Sequence, residues 1–140
     1  MRFLATLVVA LASCLPLQRA ELSAPVVDYS AAYVYYMRTL PADEQIRIVF
    51  AGTPVVDKML YIASRESMGD VRAPYTYDCA ADNKRSSAAG LFQTLAKYHK
   101  TRAERLGFSW SDVAGPDCYA DTMLAFDLWR EQGLQPWKVR

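Results

Sequence analysis

Apolar and polar positions recur with a helical period along most of this chain, and the exceptions are as informative as the rule. The first apolar stretch, Phe3 to Ala12, follows a single basic residue, Arg2. It is much shorter than the roughly 20 residues needed to cross a bilayer. A basic start and a short apolar run read as a secretory leader over residues 1–20, to be excluded from the fold. Residues 21–50 then read as a tether and a helical segment. Within it, residues 31–40 are rich in Tyr and Ala. Asp43 and Glu44 after Pro41 start a helix that buries Ile46, Val49 and Phe50 and stops at Gly52.

The next start is the clearest. Thr53 can cap and Pro54 can occupy the first helical position, where its missing N–H costs nothing. Val55, Val56, Met59, Leu60, Ile62 and Ala63 follow at helical spacing, and Glu66 continues their stripe before Gly69. Residues 68–87 show no period and are rich in Gly, Pro, Asp, Asn and Ser, a stretch that inside a compact domain is as a rule functional or disordered. Ser86 or Ser87 then caps an expected helix carrying Leu91, Leu95, Tyr98 and Leu106. After a short turn at Ser109, Asp117 opens a last helix through Tyr119, Met123, Phe126 and Leu128, ended by Gly133 and Pro136. No strand or repeat emerges. The expected fold is a small, mainly α domain.

Composition narrows the function classes. A length of 140 residues allows one domain. The 16 basic and 15 acidic residues leave a net charge of +1, which argues against a nucleic-acid partner bound through phosphate neutralisation. With three cysteines, one histidine and neither C-x-x-C nor H-E-x-x-H spacing, no metal or other cofactor is expected. Leu11-Ala12-Ser13-Cys14 is similar to a bacterial lipobox, which would make Cys14 the lipidated first residue; cleavage after Ala12 or near Ala20 is the alternative. Either exit implies export, to the periplasm, the outer membrane as a lipoprotein, or the medium. Membrane contact is expected only through that N-terminal lipid. Cys79 and Cys118 then remain, and an even number in an oxidising compartment favours one disulfide over two buried thiols.

Glu66 is the residue that needs a reason. A carboxylate on an apolar stripe is costly as an anion, so burial should raise its pKa, and the negative end of the helix acts in the same direction. A glutamic acid kept protonated near neutral pH can protonate a leaving-group oxygen, as glycoside cleavage requires. The alternatives are a salt bridge to Arg65 or Arg72, or a stripe that turns outward at the helix end.

The surrounding residues add a resemblance. Glu66-Ser67-Met68-Gly69-Asp70, then Ala81-Asp82-Asn83, then Gly90-Leu91-Phe92-Gln93, resembles the lysozyme-like lytic transglycosylase family, which includes goose-type lysozyme-like domains. The tail, Gly115-Pro116-Asp117 and later Gln132-Gly133-Leu134-Gln135-Pro136-Trp137, is similar to the closing segment of secreted members. The resemblance implies a lysozyme-like helical domain over residues 51–140. It also implies cleavage of the β-1,4 bond between N-acetylmuramic acid and N-acetylglucosamine, by a monomer acting on peptidoglycan strands. Glu66 matches the catalytic acid, Ser67 its partner, and Asn83, Gly90 and Gln93 match positions lining the sugar cleft. Two departures stand out. Met68 replaces a small residue, and the Ala-Tyr-Asn element of larger members is missing, with Tyr119 the nearest counterpart.

Transglycosylation needs no second carboxylate and is the preferred reaction. A muramidase-type hydrolase needs one, and Asp70, Asp78 and Asp82 are equal candidates by spacing. A non-catalytic wall-binding protein and an exported structural lipoprotein are the readings outside enzymology. Tyr75, Tyr77, Trp110 and Trp137 suit a core better than a sugar platform. Lys97, Lys100, Arg102 and Arg105 with His99 read as a solvated helix face.

Overall fold

The computed structural model describes residues 31–138; the expected leader, Cys14 and the tether up to residue 30 lie outside the described residues. The domain is mainly helical. It comprises α1 (Ala31–Thr39), α2 (Ala42–Val49), α3 (Val56–Glu66), a two-stranded hairpin of β1 (Ala88–Ala89) and β2 (Thr94–Leu95), α4 (Ala96–Arg105), α5 (Trp110–Val113), α6 (Tyr119–Gln132) and a final 3-10 turn, Gln135–Trp137.

The helix α6 is the hub, touching α2, α4, α5 and the final turn. Consecutive residues Tyr119, Ala120, Asp121 and Thr122 are all buried, because neighbours cover more than one of its faces. Ile46 and Phe50 join Met59, Ile62, Leu91, Leu124 and Leu128 in a single core, so α2 packs with α3 and α6. Phe50 meets Phe126 edge-on, with ring centroids 5.2 Å apart. Gln45, also buried, donates to the carbonyls of Leu40 and Asp117 and ties α2 to the segment that enters α6.

Helix α3 begins later than the sequence suggests. Thr53 does not cap it; its hydroxyl donates to the Phe50 carbonyl at 2.8 Å and closes the α2–α3 turn, and Val55 stands at the cap. Past Gly52, with φ of 75°, the apolar stripe behaves as expected, with Met59, Leu60, Ile62 and Ala63 buried.

The expected helix from Ser86 or Ser87 is a correction. Residues 88–95 form the hairpin instead, with Ala88 opposite Leu95 and Ala89 opposite Thr94, and helix begins only at Ala96. Gly90 (φ 81°) and Gln93 (φ 50°) both adopt the left-handed region, which a right-handed helix excludes. Ser87 still serves a helix start, but across the hairpin: its carbonyl accepts from Ala96 N and its Oγ from Lys97 N.

The irregular segment between α3 and β1 is held by Cys79–Cys118, a disulfide joining it to the entrance of α6. Closing a loop over a sequence separation of 39 removes unfolded-state freedom. Such a bridge contributes about 2–4 kcal/mol. Reduction is therefore expected to lower the melting temperature by roughly 10–25 °C. Calorimetry with and without reductant checks this, and an unchanged transition would refute it.

Candidate active site

Helix α3 delivers Glu66 as its last residue, where the buried stripe gives way to a surface cavity of about 590 Å³. Glu66, Met68, Asp82, Asn83 and Gln93 all line this cavity, above an apolar floor that includes Ala81, Ala88 and Leu95. Three separate segments thus converge: the end of α3, the irregular loop and the hairpin. Two exposed cations, Lys84 and Arg85, stand at its rim.

The desolvated acid expected from the stripe is not what forms. The Glu66 side chain keeps 27% exposure and pairs with Arg65, which is the salt-bridge alternative; Arg72 pairs with Asp70 instead. The burial on which the first expectation rests is absent because the last turn of α3 opens onto the cavity. Arg65 Nε and Nη2 both contact Oε1 of Glu66, so Oε2 is the oxygen left for the cavity. Arg65 also donates to the Trp137 carbonyl at 3.2 Å, and Trp137 Nε1 donates to the Phe92 carbonyl at 3.1 Å. The C-terminal turn therefore fixes the arginine that fixes the glutamate.

The other expected site residues divide into two groups. Asn83 lines the cavity and shapes its own turn, its Oδ1 accepting from Arg85 N at 3.1 Å. Gln93 lines it too; its Nε2 donates to the carbonyls of Ala81 and Gly90, which orients the amide and leaves Oε1 as an acceptor for a ligand. Ser67 is buried at the end of α3, and its Oγ accepts from Asp78 N at 3.1 Å. Its hydroxyl anchors the loop to the helix.

Gly90 and Tyr119 do not face the cavity. A Cβ on Gly90 would stand 2.7 Å from both Asp121 Oδ2 and the Val113 carbonyl, so the missing side chain serves internal packing. Tyr119 is buried beside Phe108 on another side of α6, where it lines a different cavity. Trp137 is buried, and Tyr75, Tyr77 and Trp110 pack against the core, as expected of aromatics here. Burial pushes the Tyr77 hydroxyl up to about 12. In the basic stretch of α4, Arg102 pairs with Asp127 and Glu131 of α6.

Sequence reasoning missed Asp121. This carboxylate is fully buried; Oδ2 accepts from Phe92 N at 2.7 Å and Oδ1 from the Thr94 hydroxyl at 3.1 Å. It grips the hairpin turn on both sides of Gln93. Burial drives its pKa up to about 7, against hydrogen bonds from Phe92, Thr94 and Leu91 that favour the anion.

Backbone strain converges on the same place. Among the described residues three non-glycines have positive φ: Met68, Gln93 and Cys118. Met68 and Gln93 line the cavity beside Glu66, and Cys118 is bonded to the loop that forms one of its walls. Strain of this kind persists where the surrounding structure over-determines it and clusters at functional sites. Comparison of the chain with family models, curated proteins and solved structures returns no match.

Proposed function

We propose that this protein is an exported, monomeric enzyme of the lysozyme-like lytic transglycosylase kind. It cleaves the β-1,4 bond between N-acetylmuramic acid and N-acetylglucosamine in peptidoglycan and leaves 1,6-anhydro ends. The observation that carries the reading is the meeting of Glu66, Asn83 and Gln93 on one cavity, from segments far apart in sequence. Those are three of the positions that the resemblance to this family names.

In this reaction Glu66 takes up a proton on Oε2 once bound glycan has displaced water from the cavity, and gives it to the glycosidic oxygen as the bond to the muramyl C1 breaks. The carbonyl oxygen of the muramyl acetamide supports the charge developing at C1. Glu66, now a carboxylate, accepts the proton of the C6 hydroxyl as that oxygen closes onto C1, so the acid is regenerated and no water is consumed. Arg65 holds Oε1 throughout, which aims Oε2 into the cavity. Gln93 and Asn83 offer amide groups for the hydroxyls and acetamides of the sugars.

A hydrolase remains the second reading because one feature favours it. Of the three loop aspartates only Asp82 lines the Glu66 cavity; Asp70 is tied to Arg72, and Asp78 accepts from Ala80 N. Products from purified sacculi distinguish the two. Transglycosylation predicts muropeptides with no added water, and an Asp82→Asn variant that loses less than about tenfold in rate. Addition of water in every fragment, with a loss of about 100-fold or more in Asp82→Asn, would establish hydrolysis instead.

A further inference from the structure

Helix α3 ends in a Schellman motif, with Gly69 N–H donating to the Ser64 carbonyl at 2.9 Å and Met68 N–H to the Arg65 carbonyl at 3.4 Å. The left-handed position of such a motif is ordinarily glycine, because a side chain there is strained. Here that position is Met68, with φ of 60°. The glycine comes one residue later for its own reason, since a Cβ on Gly69 would stand 1.9 Å from the Thr76 carbonyl oxygen. Met68 is also 91% exposed. The strain opposes folding, and the exposed side chain gains no core packing to offset it.

Its position supplies the reason. Met68 lines the cavity two residues from Glu66, while Asp82, Asn83 and Gln93 supply polar groups to the same space. A pyranose bearing an acetamide has matching halves: hydroxyls and an amide on some edges, C–H faces and a methyl group on others. The geometry points to Met68 as a substrate-contacting, specificity-determining residue. Its thioether chain covers the apolar face or acetamide methyl of the N-acetylated sugar next to the bond that is cut. The inference rests on the peptidoglycan reading above and adds a contact that the resemblance to small-residue relatives does not supply. Methionine suits the task because its unbranched, polarizable chain adapts to an irregular apolar surface.

Met68→Gly separates the two roles in one variant. It relieves the backbone strain, so its melting temperature should equal or exceed that of the wild type. It removes the contact, so KM for solubilised glycan strands should rise about tenfold, with a much smaller change in kcat. Met68→Ala should raise KM similarly without the gain in thermal stability, and Met68→Leu should recover most of the lost affinity. If wild type cleaves the strands and Met68→Gly keeps the wild-type KM, the contact does not exist. If wild type does not cleave them at all, the enzymatic reading falls and takes this inference with it.

Discussion

Replacing Glu66 with Gln is expected to reduce cleavage of peptidoglycan by about 1,000-fold or more, because the variant has no carboxylic proton to give to the leaving oxygen. The substitution is conservative in every other respect. Gln keeps an oxygen at the position where Arg65 Nε and Nη2 now meet Oε1, and the carboxylate it replaces is partly exposed rather than buried. A partly exposed ion pair contributes about 1 kcal/mol or less, so the melting temperature should move by only a few degrees. Dye release from labelled sacculi and thermal unfolding of the same preparation check both halves. Near-wild-type release would remove Glu66 from its role, and a large fall in melting temperature would recast it as structural.

The buried carboxylate that an apolar stripe predicts is present in this fold, but it is Asp121 and not Glu66. An acid on an apolar helical stripe marks a buried, unusual group. Asp121 shares a face with Leu124, Ala125 and Leu128 at helical spacing, and all four are buried. Glu66 shares one with Ile62 and Ala63 but ends its helix, where the stripe runs out and Arg65 is beside it. What supports the proposed role of Glu66 is its neighbours across the cavity, which periodicity does not show.

The fold was legible where local signals dominate. The stripes of α2 and α3, the Ser109 turn, which forms the short α5, and the Gly133 stop of α6 all lie within a few residues of their causes. The hairpin at residues 88–95 was not legible, because what holds it is remote: Asp121 captures Phe92 N from 29 residues downstream. That Gly90 abuts Asp121 and Val113 was hidden for the same reason, since a glycine matched to a sugar cleft and a glycine that lets a buried aspartate approach look alike in sequence.

Removing that aspartate should damage the domain more than any other single change to a polar side chain considered above. Asp121→Ala strands a buried amide at Phe92 and a buried hydroxyl at Thr94, and opens a void beside Gly90. Each orphaned group costs about 1–3 kcal/mol and the void adds to that, for a total of roughly 3–6 kcal/mol. Asp121→Asn should fold nearly as well as the wild type, since its oxygen can accept from Phe92 while its amide donates to the Thr94 hydroxyl. The two variants then differ from the wild type in pH dependence. In the native protein the carboxyl titrates at about 7, above its ordinary value of 3.8. Between those values the folded chain holds a proton that the unfolded chain has released, so raising the pH favours unfolding. Wild-type stability from urea titration, taken relative to that of Asp121→Asn, should fall by about 2–3 kcal/mol between pH 5 and 7.5 and level off above that. Asp70, held below its ordinary value by Arg72, and Asp112, held low by Ser109, slope the other way, but their contribution is lost only as pH falls below 3.8. His99, which burial lowers from its ordinary 6.5, slopes the other way inside this window, so Asp121→Asn should gain stability with pH where the wild type declines relative to it. A wild-type profile parallel to that of Asp121→Asn would mean that the carboxyl is already ionised in the fold, with its hydrogen bonds outweighing its burial.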